Sequence, residues 1–216
     1  MLFRSKIGQS LDNIYLLKYT GINPANGHYS YYDRNHDDTI IVNDNIPTGT
    51  GNDDRSVAVN LNPKFSGGWG HQFTYKRVML SAFFTFRKQT GNNALGYTAG
   101  TLGNTSVWQF QHRWQYPGQE ALAPLLTTKP SYSDGLFSSS TGNWSDASFI
   151  RLQTLNLSYT MSDKWARKAG MSRMAFMLSA QNIFIITSYK GIDPEVPTFG
   201  GMPPARTITA GLSCSF

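Results

Sequence analysis

The chain has 216 residues, of which 40% are hydrophobic, 13% aromatic and only 15% charged, with 20 glycines and 10 prolines. Soluble domains carry roughly 25% charge, and no apolar run approaches the roughly 20 residues of a membrane-spanning helix. This excludes a helical membrane protein and suits an all-β chain with polar loops. The net charge of +6 is spread out and the one cysteine is Cys214, which argues against a nucleic-acid stripe, an internal disulfide or a Cys/His zinc site.

In chain order, Met1 to Arg4 are not followed by the apolar segment of a signal peptide. A secreted or outer-membrane protein needs one, so the chain is expected to be cytosolic or the tail of something longer. Residues 13–20 (NIYLLKYT) read as a first strand ending at Gly21. Residues 23–63, with Pro24, Gly27, Pro47, Gly49, Gly51 and Pro63 among many Asn and Asp, read as a long loop. Next, Phe65, Gly67, Trp69, His71, Phe73 and Tyr75 form one alternating set, and Val78, Leu80, Ala82, Phe84 and Phe86 another, joined at Lys76-Arg77. Together they predict a hairpin with a tight basic turn.

Residues 89–147 are turn-rich and aperiodic, too long a structureless stretch for a compact soluble domain. Alternation resumes with Ile150, Leu152, Leu155, Leu157, Tyr159 and Met161, where the step of three predicts a β-bulge. Residues 162–170 predict a helical turn capped by Ser162 or Asp163 and stopped by Gly170. Met174, Phe176, Leu178 and Ala180 predict a further strand, and a Gly/Pro-rich loop from Gly191 to Pro204 precedes the last one. There Ile208, Ala210, Leu212, Cys214 and Phe216 share one face, backed by Thr207, Thr209, Gly211, Ser213 and Ser215.

The connections thus run long, tight, long, short and medium, which suits six antiparallel strands with every long loop at one end. Outer-membrane barrels have that layout, and their lipid-facing strands end on interfacial aromatics. In a barrel, Met174, Phe176, Leu178, Ile208, Leu212 and Phe216 face lipid, while Thr209, Ser213 and Ser215 face the lumen. Trp69, Phe73, Tyr75, Phe84, Phe86 and Tyr159 are then interfacial girdle or strand core.

Within the loops, Asp33, Asn35 and Asp37 carry the oxygen spacing that opens a calcium loop, with Ile40 at its eighth position and Asp44 at its twelfth. Asp38 stands at position six, where glycine is needed, and Asp44 is shorter than the usual glutamate; a solvated loop is the alternative. Trp108, Trp114, Tyr116 and Trp144 present rings that stack on sugars or pack against neighbouring loops or a partner. Asp193-Pro194-Glu195 reads as loop geometry, Pro194 fixing φ. No Ser-His-Asp set, phosphate loop or Cys/His cluster is present, so nothing supports catalysis.

The segment GNWSDASFIRLQTLNLSYT (142–160) resembles a signature of SusC/RagA-type TonB-dependent transporters, a tryptophan followed by S-(F/Y)-(L/I)-R-L and a strand ending in S-Y-T. SAQNIF (179–184) with YKGIDPE (189–195), PARTITAGL (204–212), NPKFSGG (62–68) and YTGIN (19–23) are similar to further family motifs, in the family's order. The stretch from Asp33 also resembles the family's Y-x-D-x-N-G-D-G-x-I, with His36 and Asp38 replacing the two glycines.

The resemblance implies an antiparallel transmembrane β-barrel segment, about six C-terminal strands of a barrel of about 22, spanning residues 1–216 with long extracellular loops. It implies an outer-membrane location, a SusD-like lipoprotein lid, drive by the TonB complex through parts absent here, and uptake of an oligosaccharide or a peptide. The signal peptide, TonB-contacting segment and plug of such proteins are absent from this sequence, so a fragment is expected. The competing reading is a soluble or secreted β-sandwich that binds carbohydrate through its loop aromatics, its apolar faces turned to an opposing sheet.

Overall fold

The computed structural model describes residues 7–93, 105–196 and 201–216. The strands run, in order, β1 (Asn13–Leu16), β2 (Tyr19–Ile22), β3 (Tyr29–Tyr31), β4 (Val57–Asn60), β5 (Phe65–Tyr75), β6 (Val78–Lys88), β7 (Thr90–Asn92), β8 (Trp144–Asp146), β9 (Phe149–Thr160), β10 (Arg173–Thr187) and β11 (Thr207–Ser215). The short helices are α1 (Val107–His112), α2 (Tyr132–Gly135) and α3 (Asp163–Lys168). The chain divides into two compact units, one built on residues 63–89, 147–196 and 201–216, the other on the remainder.

The first of these is a single five-stranded antiparallel sheet in the order β11-β10-β9-β6-β5. Residues directly opposite in an antiparallel ladder project to the same side, so the pairings fix two faces. One row holds Tyr75, Val78, Tyr159, Phe176 and Leu212; the next holds Phe73, Leu80, Leu157, Leu178 and Ala210. His71, Ala82, Leu155, Ala180 and Ile208 follow, then Trp69, Phe84, Leu152 and Phe184. This face is apolar throughout except for His71, whose ring lies 4.3 Å from that of Phe73. It is also exposed: Leu212 is 55% accessible, Ile208 71% and Phe216 92%. Among the described residues of this unit the sheet is a single layer. The other face is mostly polar, carrying Gln72, Thr74, Ser81, Thr154, Asn156, Ser158, Ser179, Gln181 and Thr209 alongside Met79, Phe83 and Met177, with a ladder in which Ser179 Oγ donates to Asn156 Oδ1 at 2.7 Å.

The hairpin matches its expected alternation and turns at Lys76, which adopts φ 52°. The bulge is present: Thr154 opposes Phe83 and Leu152 opposes Phe84, leaving Gln153 as the extra residue. Against β10 the same point leaves out Asn182 and Ile183. The strand expected to end at Ala180 runs on past this point to Thr187. Two skipped residues leave the alternation of β10 in phase, so Phe184 and Ile186 continue the face of Phe176 and Leu178. Ser162 stands at the expected N-cap position of α3 but makes no side-chain capping bond, and the helix ends before Gly170 at φ 73°.

The expected first strand differs most. Residues 13–20 break into β1 and β2, which pair with β4 and β3 in separate two-stranded sheets and not with the five-stranded one. Five strands, not six, therefore form the large sheet. The apolar run of NIYLLKYT is spent on a local core, where Leu17, Tyr29, Tyr31 and Phe137 are buried and Tyr19, Ile22, Ile40, Val42 and Leu136 pack around them. Tyr29 stacks on Phe137 with centroids 4.1 Å apart.

Residues 23–63 and 105–147 are thus ordered insertions. Desolvation inside this cluster, then the neighbouring Tyr19 and Asp134, push the Tyr29 hydroxyl well above its ordinary value, and burial does the same to Tyr31. Groups raised in the folded state stabilise it fully below the unfolded value of about 10 and lose that contribution as pH climbs past it. The insertion is therefore expected to hold to about pH 10 and to loosen above it. Comparing tyrosinate absorbance of the parent with Tyr29→Phe and Tyr31→Phe checks this; titration of both groups as ordinary exposed tyrosines is the contrary result.

Candidate functional site

On the polar face of the sheet, Arg151 of β9 is nearly enclosed. Its Nη2 donates to both carboxylate oxygens of Asp193 at 2.7 Å, and its Nε lies 2.9 Å from Oε2 of Glu195. The arginine side chain is 4% exposed and that of Asp193 9%. Two negative charges thus compensate one cation in a desolvated setting, where breaking a pair is costly. The contact joins the F-I-R-L and D-P-E segments, which are 42 residues apart. Asp193 and Glu195 accordingly do more than shape their loop. Beside them a cavity of ≈ 530 Å³ is lined by Asn182, Ile185, Thr187 and residues 202–206.

In the other unit, Asp53 and Asp54 have no solvent exposure and Arg55 only 6%. Asp54 accepts the main-chain N–H groups of Arg34 and Ile41, at 3.0 and 2.8 Å. Asp53 accepts those of Asn43 and Gly49 and the Nε of Arg55. Arg55 also reaches Asp44 Oδ1 at 2.9 Å and the carbonyl of Asn43 at 3.0 Å. This polar knot replaces an apolar core for residues 33–55. In sequence it is indistinguishable from a solvated Asn/Asp loop.

The calcium-loop residues are brought together only in part. Asp33 accepts the N–H groups of Asn35, His36 and Asp38, and His36 and Asp38 take the left-handed φ values that glycine would supply. Asp37 is bonded by Thr39 and Asn35; the Thr39 hydroxyl first, then Asn35, hold its carboxyl below the ordinary range. Asp44 is engaged elsewhere, by Arg55. Among the described residues no group of three or more His, Cys, Asp or Glu could hold a metal.

The four loop aromatics do not form one platform. Trp108, on the capped helix α1, stacks on His112 with centroids 4.7 Å apart. Trp114 donates its indole N–H to Pro24 at 2.9 Å and covers Gly27, where a Cβ would come within 2.5 Å of the ring at φ 75°. Tyr116 is exposed. Trp144 lines a cavity of ≈ 260 Å³ with Arg55, Asp44, Thr48 and Tyr15, its Nε1 buried and without a partner among the described residues. No ring contact joins any two of these four among the described residues. Gly27→Ala is expected to displace Trp114 and destabilise this insertion by about 1–3 kcal/mol, read as faster proteolysis around residue 27; an unchanged digestion pattern contradicts the packing.

No protein-family model matches the chain. TonB-dependent receptor P3 of Formosa agariphila is 25% identical over 183 residues, covering 76% of this chain and 17% of its own length. The TonB-dependent receptor SusC of Bacteroides thetaiotaomicron is 36% identical over 76 residues, 33% of this chain and 8% of its own length. Solved structures of the RagAB peptide transporter and of the RagAB peptide importer in an open-open state superpose with TM-scores of 0.70 and 0.66. They cover 94% and 98% of this chain, and 23% and 25% of theirs, at 22% and 21% identity. The chain is thus similar to TonB-dependent receptors, SusC among them, and to the RagAB structures in fold. It spans about a sixth of the length of the TonB-dependent receptors P3 and P39, which it matches over 17% of each. Its fold is that of a stretch of a TonB-dependent barrel.

Proposed function

We propose that this chain forms part of the wall and extracellular loops of an outer-membrane, TonB-dependent nutrient importer. One observation carries the reading: a five-stranded sheet with one exposed apolar face backed by a mostly polar one. The eleven residues of β5 at roughly 3.3 Å each, tilted by roughly 40°, cover about 28 Å, close to the apolar band of outer-membrane barrels. Tyr75, Tyr159 and Phe216 then sit at the short-turn rim, and Phe65, Trp69 and Phe84 toward the other. Phe176, Leu178, Ile208, Leu212 and Phe216 meet lipid, while Arg151, Thr154 and Ser213 face the lumen.

The chemistry of the whole protein is binding and gated passage, with no bond made or broken. A SusD-like lipoprotein covers the loop side, the TonB complex supplies the drive, and the cargo is an oligosaccharide or a peptide. The names of the relatives support this reading in general. The test is to disrupt the open frame in its host and grow the cells on defined oligosaccharides or peptides as sole nutrient. Growth is expected to fail on one class and return with the intact frame. Undiminished growth on every class overturns the importer.

A further inference from the structure

We infer that Arg151 is a positioning residue that straps residues 191–196 to the lumenal wall, making this stretch a fixed strut of the pore lining. The inference rests on the barrel reading, which turns the polar face of β9 inward. Arg151 and Gln89 tie the stretch to the sheet, and two further hydrogen bonds fold it on itself. Arg151 grips Asp193 and Glu195 as described. The Glu195 N–H donates to Asp193 Oδ1 at 2.8 Å, so both acids are held in one turn. The Val196 N–H donates to the carbonyl of Asp193 at 3.2 Å, and the Gln89 amide donates to the carbonyl of Pro194. At the near end Gly191 lies so close to Tyr189 that a Cβ would meet its ring at 2.2 Å.

Segments that open in the native state are those with few buried contacts; this one carries a guanidinium and a carboxylate almost wholly out of water. Lifting it would strand the cation of Arg151 in the wall with nothing to compensate it. The strap also lines the ≈ 530 Å³ cavity together with residues 202–206, where Asn182 Nδ2 donates to the carbonyl of Ala205 at 3.0 Å. Arg151 thereby both lines this recess and fixes the strap beside it.

The experiment places a nitroxide at Ile192→Cys, an exposed position, in the full-length transporter with Cys214→Ser, reconstituted in lipid vesicles. The parent is expected to give a motionally restricted spectrum. Arg151→Gln and the double change Asp193→Asn with Glu195→Gln are each expected to shorten the correlation time several-fold, and to add nothing when combined. Arg151→Lys should restore little, because one ammonium cannot grip two carboxylates as a guanidinium does. Assembly is followed by heat-modifiable migration. The acid-to-amide pair leaves every strand residue untouched and carries the test if Arg151→Gln fails to assemble. A mobile parent label in an assembled barrel overturns the strut alone, as do fully additive effects. Failure of the parent itself to form a heat-modifiable barrel overturns the lumenal reading, and the strap with it.

Discussion

Asp53→Ala is expected to unfasten residues 33–55 at a cost of about 3–5 kcal/mol, the scale for removing one partner of a buried ion pair. The substitution leaves the nearly enclosed guanidinium of Arg55 facing only the half-exposed Asp44. It also takes the acceptor from the N–H groups of Asn43 and Gly49. Because each 1.4 kcal/mol is tenfold in an equilibrium, tryptic cleavage after Arg34 and Arg55 in the assembled transporter should accelerate by at least about a hundredfold. Asp53→Asn, which keeps one carbonyl oxygen, should fall between. Asp54→Ala is expected to be milder, since it orphans two main-chain N–H groups and no charge. A digestion pattern for Asp53→Ala identical to the parent's would remove the knot from any structural role.

The second large effect separates the two faces of the sheet. Leu155 lies in the row between those of Leu157 and Leu152, midway along the apolar face, and Thr154 beside it projects to the other side. Leu155→Arg is expected to impair outer-membrane assembly by about 2–4 kcal/mol, and Thr154→Arg to be mild. Leu212 stands in the row with Tyr75 and Val78, next to the charged turn at Lys76 and Arg77. A charge there lies near the interface, so Leu212→Arg should cost only about 0–1 kcal/mol. Heat-modifiable migration of each variant from isolated outer membranes reads the outcome. Equal tolerance of arginine at residues 154 and 155 sinks the lipid-facing assignment.

The large sheet was legible because a strand has a period of two, and each of its faces meets a different surrounding. The hairpin of β5 and β6 and the terminal strand could be read from alternation alone, and so could the bulge, from one step of three. Alternation fell short in two places. The run NIYLLKYT has strand composition, but composition does not say which sheet a strand joins, and it joins the small local ones. Past Ala180 the alternation keeps its phase, because two residues are skipped, but the polar Asn182 interrupts the apolar set and hides that Phe184 and Ile186 continue it.

The candidate sites were less legible. Motif spacing brought Asp33, Asn35 and Asp37 to notice, yet Asp44, which belongs to the same pattern, is held by Arg55. The loop aromatics were conspicuous as a group and are scattered in space. By itself the sequence determined that the chain is β-rich, two-faced and built with long loops at one end, because those properties are local and periodic. Only the tertiary structure decided that Arg151 meets Asp193 and Glu195, and that Asp53 meets Arg55 deep in an apparently solvated loop. The physical reason is that a charge pair carries no periodicity. Whether an aspartate is solvated or buried depends on what folds over it, and for Asp193 that comes from a strand 42 residues earlier in the chain.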